Sequence, residues 1–171
     1  MKINSNNIVN GYFEDQIGHR GTQILKDKKP TRSFHLAWED LPPGTETLAL
    51  IFIDHDAIPV CGFSWIHWSV ANIDPQWHEL PENASLERSL LEGVTSWNSG
   101  LLPEAWKLDK EDATGFGGCA PPDQAHRYTV ELYALNTKLS LQRGFFLNEM
   151  LNAMEGHVLA KTSLCALYKT K

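Results

Sequence analysis

The stretch CAPPDQAHRYTVELYAL, Cys119 to Leu135, decides how the rest of the chain is read. In its second half Val130, Leu132 and Ala134 alternate with Thr129, Glu131 and Tyr133, the period of a half-buried strand. Carried back toward the N-terminus, the same period sets Tyr128 and His126 on the face of Val130 and Leu132. A core-facing row thus ends in a phenol and an imidazole, directly after Pro121-Pro122, whose rings fix φ and remove two N–H groups. Such a row predicts either structural hydrogen bonds at a strand end or the wall of a polar pocket.

Working outward, Leu48 to Ile53 is a continuous apolar run that ends at Asp54 and follows the Leu41-Pro42-Pro43-Gly44 turn. Its length suits a buried central strand. His55 to Gly62 reads as a loop, interrupted by Pro59 and Gly62. Phe63 to Ile73 is rich in aromatic and β-branched residues and reads as the next strand, stopped by Pro75. Strict alternation sets His67, Ser69, Ala71 and Ile73 on one face and Trp68, Val70 and Asn72 on the other. Residues 74–118 show no clear period, and a segment of that length is a candidate cover for a site. Leu147, Met150, Leu151, Met154 and Val158 then fall on one helical stripe, blurred at its end by Gly156. Ser163 to Tyr168 reads as a last strand. Strands dominate and do not alternate with helices. The expected architecture is mainly β, an antiparallel, Greek-key-like β-sandwich with a few peripheral helices, forming a single domain over 1–171.

With 171 residues, 42% hydrophobic and 21% charged, the chain has the composition of a globular domain with a sizeable core. The net charge of −6 and the lack of a dense Lys/Arg run exclude a phosphate-backbone surface, so nucleic acid is not an expected partner. No run is long and apolar enough for stable membrane insertion. The polar start, Met1-Lys2-Ile3-Asn4-Ser5-Asn6-Asn7, lacks the apolar centre of a signal peptide, which predicts a cytoplasmic location. Cys61, Cys119 and Cys165 are widely spaced and read as free thiols.

Three strand ends carry chemistry. Asp54 closes the first strong strand with Asp56 two residues on, His67 lies near the start of the second, and His126 and Tyr128 open the third. If the strands are neighbours, these groups meet at one rim. A small anion needs donors. His67, His126 and Tyr128 are the candidates, with backbone N–H groups of Gly117-Gly118-Cys119-Ala120 as an anion nest. Asp54 would hold the second nitrogen of a histidine and favour its protonated form. Taken singly, each residue also has a plainer reading: a strand-end hydrogen bonder, a Pro-Pro turn, an Asp that caps a loop. Trp65 and Trp68 read as core.

The ordered set HLAWEDLPPGT, LALIFIDHDA, HWSVANI, APPDQAHRYTVELYAL and GHVLAKTSLCALY resembles the phosphatidylethanolamine-binding protein family, also called the Raf kinase inhibitor protein family, in its bacterial YbhB/YbcL-like branch. The resemblance covers roughly Phe34 to Tyr168. It implies an antiparallel β-sandwich with an anion pocket at one end, with Asp54, Asp56, His67, Ala120, Pro121, Pro122, His126 and Tyr128 around the ligand. Two departures stand out. The family's usual DPDAP is Asp54-His55-Asp56-Ala57-Ile58 here, which predicts a less rigid loop, and Phe34 replaces the proline before His35.

The expected function is a noncatalytic binding protein for a small anion, phosphate or a phosphorylethanolamine head group, with no cofactor. The resemblance also raises a kinase or protease as a regulated protein partner. The alternatives are a metal-assisted hydrolase built on Asp54, Asp56, His67 and His126, and a homodimeric interaction protein with a vestigial pocket. No HExxH or GxSxG supports the hydrolase.

Overall fold

A computed structural model describes residues 1–170. Twelve strands form in chain order. The first six are β1 (Lys2–Asn4), β2 (Ile8–Val9), β3 (Tyr12–Phe13), β4 (Ile24–Leu25), β5 (Lys29–Pro30) and β6 (Leu36–Glu39). The others are β7 (Thr47–Asp54), β8 (Trp65–Ile73), β9 (Glu79–Leu80), β10 (Leu91–Glu92), β11 (His126–Leu135) and β12 (Val158–Tyr168). Four short helices accompany them: α1 (Ile58–Cys61), α2 (Ala84–Glu87), α3 (Lys110–Ala113) and α4 (Leu147–Met154). A seven-stranded sheet runs β10-β8-β7-β11-β12-β3-β2, a three-stranded sheet runs β1-β6-β9, and β4 pairs with β5. The large sheet is antiparallel except for the single parallel β12–β3 pairing, so it is a mixed sheet.

The continuous apolar run of β7 has a direct cause: both of its faces are covered. Leu48, Leu50 and Phe52 join Trp68, Val70, Val130 and Leu132 in a core closed by Phe34, Leu36 and Trp38 near and in the small sheet. Ala49 and Ile51 face the other way, onto Met150 and Met154 of α4. The large sheet thus packs on the small sheet with one face and on α4 with the other, a sandwich with a peripheral helix. β11 keeps its alternation throughout, with Tyr128, Val130, Leu132 and Ala134 all in the main core.

β8 does not keep strict alternation. Against β7 it pairs Phe52 with Trp68 but Ile53 with Ile66, and Leu48 with Ile73 but Leu50 with Val70. Each step carries one extra residue on β8, a β-bulge, and a bulge breaks the period of two. The first bulge, at His67, brings His67 onto the face of Trp68, with its ring 5.4 Å from that of Phe52, and parts it from Ser69. The second sends Ile73 to the main core and Ala71 to the α4 side. The four-residue face expected from alternation is therefore split. Asn72 supplies the second bend with φ of 57°, and its side chain donates to the Leu139 carbonyl at 2.9 Å and accepts from the Leu139 N–H at 2.8 Å. Asn72→Ala removes both bonds and leaves an alanine at positive φ. It is expected to cost about 2 kcal/mol in a urea titration, and a loss under about 0.5 kcal/mol would mean the bend needs no such tie.

Two further expectations change. The 55–62 loop contains α1, started by Pro59 in its first turn and ended by Gly62 at φ 89°. The helical stripe stops at Met154, because Gly156 turns the chain at φ 77°, and Val158 opens β12 instead. The last strand is accordingly longer than Ser163–Tyr168. Cys61, Cys119 and Cys165 are free, and no described helix is long and apolar enough to cross a membrane.

Candidate functional site

The order β8-β7-β11 brings together the three strand ends that carry the polar residues. Asp54 pairs with Trp65 on one side and Tyr128 on the other, so the end of β7 is flanked by the starts of β8 and β11. A cleft of about 700 Å³ opens there, within the usual range for a small-ligand site. Asp54, His67, Ala120, Pro121, Pro122, His126 and Tyr128 all line it. Asp56 does not: it is exposed, and its carboxylate accepts the Arg127 N–H at 2.8 Å, tying the 54–57 turn to β11.

His126 is 1% exposed. Its Nδ1 lies 2.7 Å from Asp54 Oδ2 and its Nε2 2.8 Å from Asp123 Oδ1. Carboxylates only accept, so both bonds hold together when the ring carries both protons. Burial works to lower the imidazole pKa. The hydrogen bonds and charges of Asp54 and Asp123 outweigh it, and the net direction is upward from 6.5. Asp54 is 3% exposed and uses its other oxygen to accept the Ala57 N–H at 3.2 Å.

His67 is in the opposite state. Its Nδ1 lies 2.8 Å from the Gly117 carbonyl oxygen, which can only accept, so Nδ1 carries the proton. Burial drives the ring pKa down to about 4, against the pull of the Asp54 charge and the backbone carbonyls. At neutral pH the ring is uncharged and its Nε2 is an acceptor, not the donor expected from the sequence. Tyr128 is fully buried, 5.1 Å from the His67 ring. Its oxygen accepts the Ala120 N–H at 3.2 Å, and its proton has no acceptor among the described residues. Burial foremost raises its pKa, so it stays a neutral O–H donor.

The expected backbone nest is absent. Gly117 N–H donates to the His67 carbonyl, Gly118 N–H to Pro30, Cys119 N–H to Ile17 and Ala120 N–H to the Tyr128 hydroxyl. The 117–120 segment is wedged between neighbouring backbones that take three of its donors, and the Tyr128 hydroxyl takes the fourth. Its glycines are there for space: a Cβ on Gly117 would sit 2.4 Å from the Trp97 ring, and one on Gly118 2.2 Å from the Ile17 carbonyl oxygen.

The long 74–118 segment does reach the cleft, supplying Trp97, Leu102 and Trp106. Trp97 stands edge-on to Trp65 at 5.0 Å and to His67 at 5.4 Å. Trp65, read from sequence as core, lines the cleft, and its buried Nε1 has no hydrogen-bond partner among the described residues. Asp123 and Trp97 were the residues that strand alternation had no means of finding, since neither lies on a strand. The one available signal for Asp123 was its place three residues before His126 in a tight turn after two prolines.

Among the described residues no group of three His, Cys, Asp or Glu side chains is arranged to hold a metal ion. Asp54 and Asp123 converge on opposite nitrogens of one ring rather than on a common point. A second recess, of about 480 Å³, holds buried Lys29 and Glu92. There Lys29 Nζ bonds the Thr114 carbonyl at 3.1 Å, while Glu92 accepts from Trp68 Nε1 at 2.8 Å and Ser85 Oγ at 2.6 Å.

A family model described as phosphatidylethanolamine-binding protein matches residues 6–169. The chain is 46% identical to YxkA of Bacillus subtilis over 157 residues, covering 91% of this chain and 93% of that one. It is 30% identical to YbhB of Escherichia coli over 176 residues, covering 98% and 99%. A solved structure of a phosphatidylethanolamine-binding protein homologue from Chlamydia trachomatis superposes with a TM-score of 0.77 at 26% identity, covering 99% of this chain and 97% of that one. That of Escherichia coli YbcL superposes with a TM-score of 0.75 at 23% identity, covering 99% and 98%.

Proposed function

Because the chain belongs to the phosphatidylethanolamine-binding protein family, we propose that its cleft binds a small anion, in the first instance the phosphate of a phosphomonoester or of a phospholipid head group, without transforming it. One observation carries this reading. Among the residues that line a largely apolar cleft, Tyr128 and Trp65 carry an O–H and an Nε1–H with no acceptors among the described residues, and His126 is a buried histidine that carboxylates hold toward its cationic form. Buried donors without acceptors are costly, and an oxyanion supplies acceptors for them. The apolar wall of Trp65, Trp97, Leu102 and Trp106 suits whatever group the phosphate is attached to.

Calorimetry with inorganic phosphate and phosphorylethanolamine is the direct test, with sulfate as a probe whose own charge is constant near neutrality. Saturable heat is expected, and Tyr128→Phe should weaken binding roughly ten- to hundred-fold by deleting one bond to a charged ligand. The pH dependence has a definite sign. His126 has a pKa raised above its ordinary 6.5, so its cationic form is complete in mildly acidic solution and is lost on the alkaline side of the ordinary histidine range, and sulfate affinity should fall as pH rises from mildly acidic to alkaline. His67, near 4, stays neutral across that window and does not contribute. An absence of saturable heat at the lower pH, or affinities equal in wild type and Tyr128→Phe, would remove the reading.

A further inference from the structure

Among the polar groups that line the cleft, His126 stands out for the partner it already has. His67 is neutral and offers an acceptor, while Tyr128 and Trp65 offer neutral donors. Two charged donors belong to residues that line the cleft: the Lys28 ammonium, which reaches the Lys107 carbonyl at 3.0 Å, and His126, whose Nε2–H is already taken by Asp123 Oδ1 at 2.8 Å. The two partners of this bond differ sharply. The His126 side chain is 1% exposed and Asp123 is 53% exposed. The imidazole is thus fixed in the floor by Asp54, while the carboxylate reaches it from the solvent side, on the irregular segment between Pro122 and β11.

We propose that Asp123 is a built-in competitor for the anion site: its carboxylate occupies the place of a ligand oxyanion on His126 Nε2, and a ligand binds there by displacing it. The proposal rests on the anion-binding reading above. A phosphate or sulfate oxygen within bonding distance of Nε2 would meet the Asp123 oxygen at the same atom, and two anionic oxygens on one N–H repel each other. An ion pair whose acidic partner is half in water is weakly held, so the displacement is feasible. Asp54 is not displaceable in the same way, because it is buried and anchored at both oxygens.

The consequence is selectivity. The apparent affinity of any anion is its intrinsic affinity reduced by the fraction of molecules in which Asp123 has left the ring. A ligand must therefore outcompete a carboxylate that is always present at very high local concentration. Oxyanions that also engage the Tyr128 and Trp65 donors have the advantage, because the Asp123 carboxylate bonds to neither. Simple carboxylates offer little that Asp123 does not, so the device favours phosphate-like ligands over cellular monocarboxylates.

Sulfate and acetate titrations of wild type, Asp123→Asn, Asp123→Ala and His126→Ala test this, with a thermal melt of each variant to confirm folding. Removing the competing charge is expected to tighten sulfate about ten-fold in both Asp123 variants and to tighten acetate by at least as much, while His126→Ala loses binding. A gain of affinity is a result that a merely structural role for Asp123 would not produce. If Asp123→Asn and Asp123→Ala bind sulfate no better than wild type while His126→Ala still abolishes binding, the site stands and the competitor is overturned. If none of the proteins gives saturable heat, the anion site and the competitor fall together.

Discussion

Asp54→Ala is expected to lower the unfolding free energy by about 3–5 kcal/mol, the loss seen when one partner of a buried ion pair is removed. The side chain is 3% exposed and holds two donors, His126 Nδ1 and Ala57 N. Truncation leaves both without an acceptor and leaves the His126 cation with only the half-exposed Asp123. For a chain of this size the melting temperature should fall by about 10 °C. Asp54→Asn keeps the shape and one acceptor and should lose roughly half as much. The effect has a pH signature. Asp54 helps raise the folded-state pKa of His126, and a raised pKa contributes stability that is complete below the unfolded value of about 6.5 and is lost as pH rises through the folded value. The gap between wild type and Asp54→Ala should therefore be widest in mildly acidic urea titrations and narrow toward alkaline pH. A variant within about 1 kcal/mol of wild type at low pH would show that the pair is not structural.

Phe52→Ala should cost a similar amount, about 3–5 kcal/mol, for a different reason. Phe52 is fully buried. Its ring lies within 6 Å of those of Phe13, Phe34, Phe116, His67 and Tyr128, so its removal opens a cavity directly beneath the site. It is expected to weaken sulfate binding as well as stability, because the His67 and Tyr128 rings lose the surface they lean on. Phe52→Leu, which fills more of the space, should recover most of the stability and most of the binding. A full loss of stability with unaltered sulfate affinity would show that the site is positioned by its hydrogen bonds alone.

The legible parts of the chain share one feature: their geometry is decided within a few residues. β11 follows a period of two from His126 to Leu135 because one face packs on the sandwich core. The β7 run is apolar throughout because both of its faces are covered. α1 escaped notice because four residues around a proline have no helical period to read. Alternation misplaced Ile73 and separated His67 from Trp68, since a bulge inserts a residue without leaving a mark in hydrophobicity. The 74–118 segment gave no pattern because its ordering comes from contacts with distant residues, such as Trp97 packed over Gly117 and edge-on to His67.

That Asp54, His67, His126 and Tyr128 meet was readable from the residues at three strand ends once the strands are neighbours, because strand ends at one edge of a sheet share a rim; Asp56 falls outside it. What each of them does there was not. His67 and His126 are the same residue type, yet burial against a backbone carbonyl makes one neutral while two carboxylates hold the other toward its cation. Charge state depends on solvent exclusion and on groups far away in the chain, and those exist only once the chain has folded.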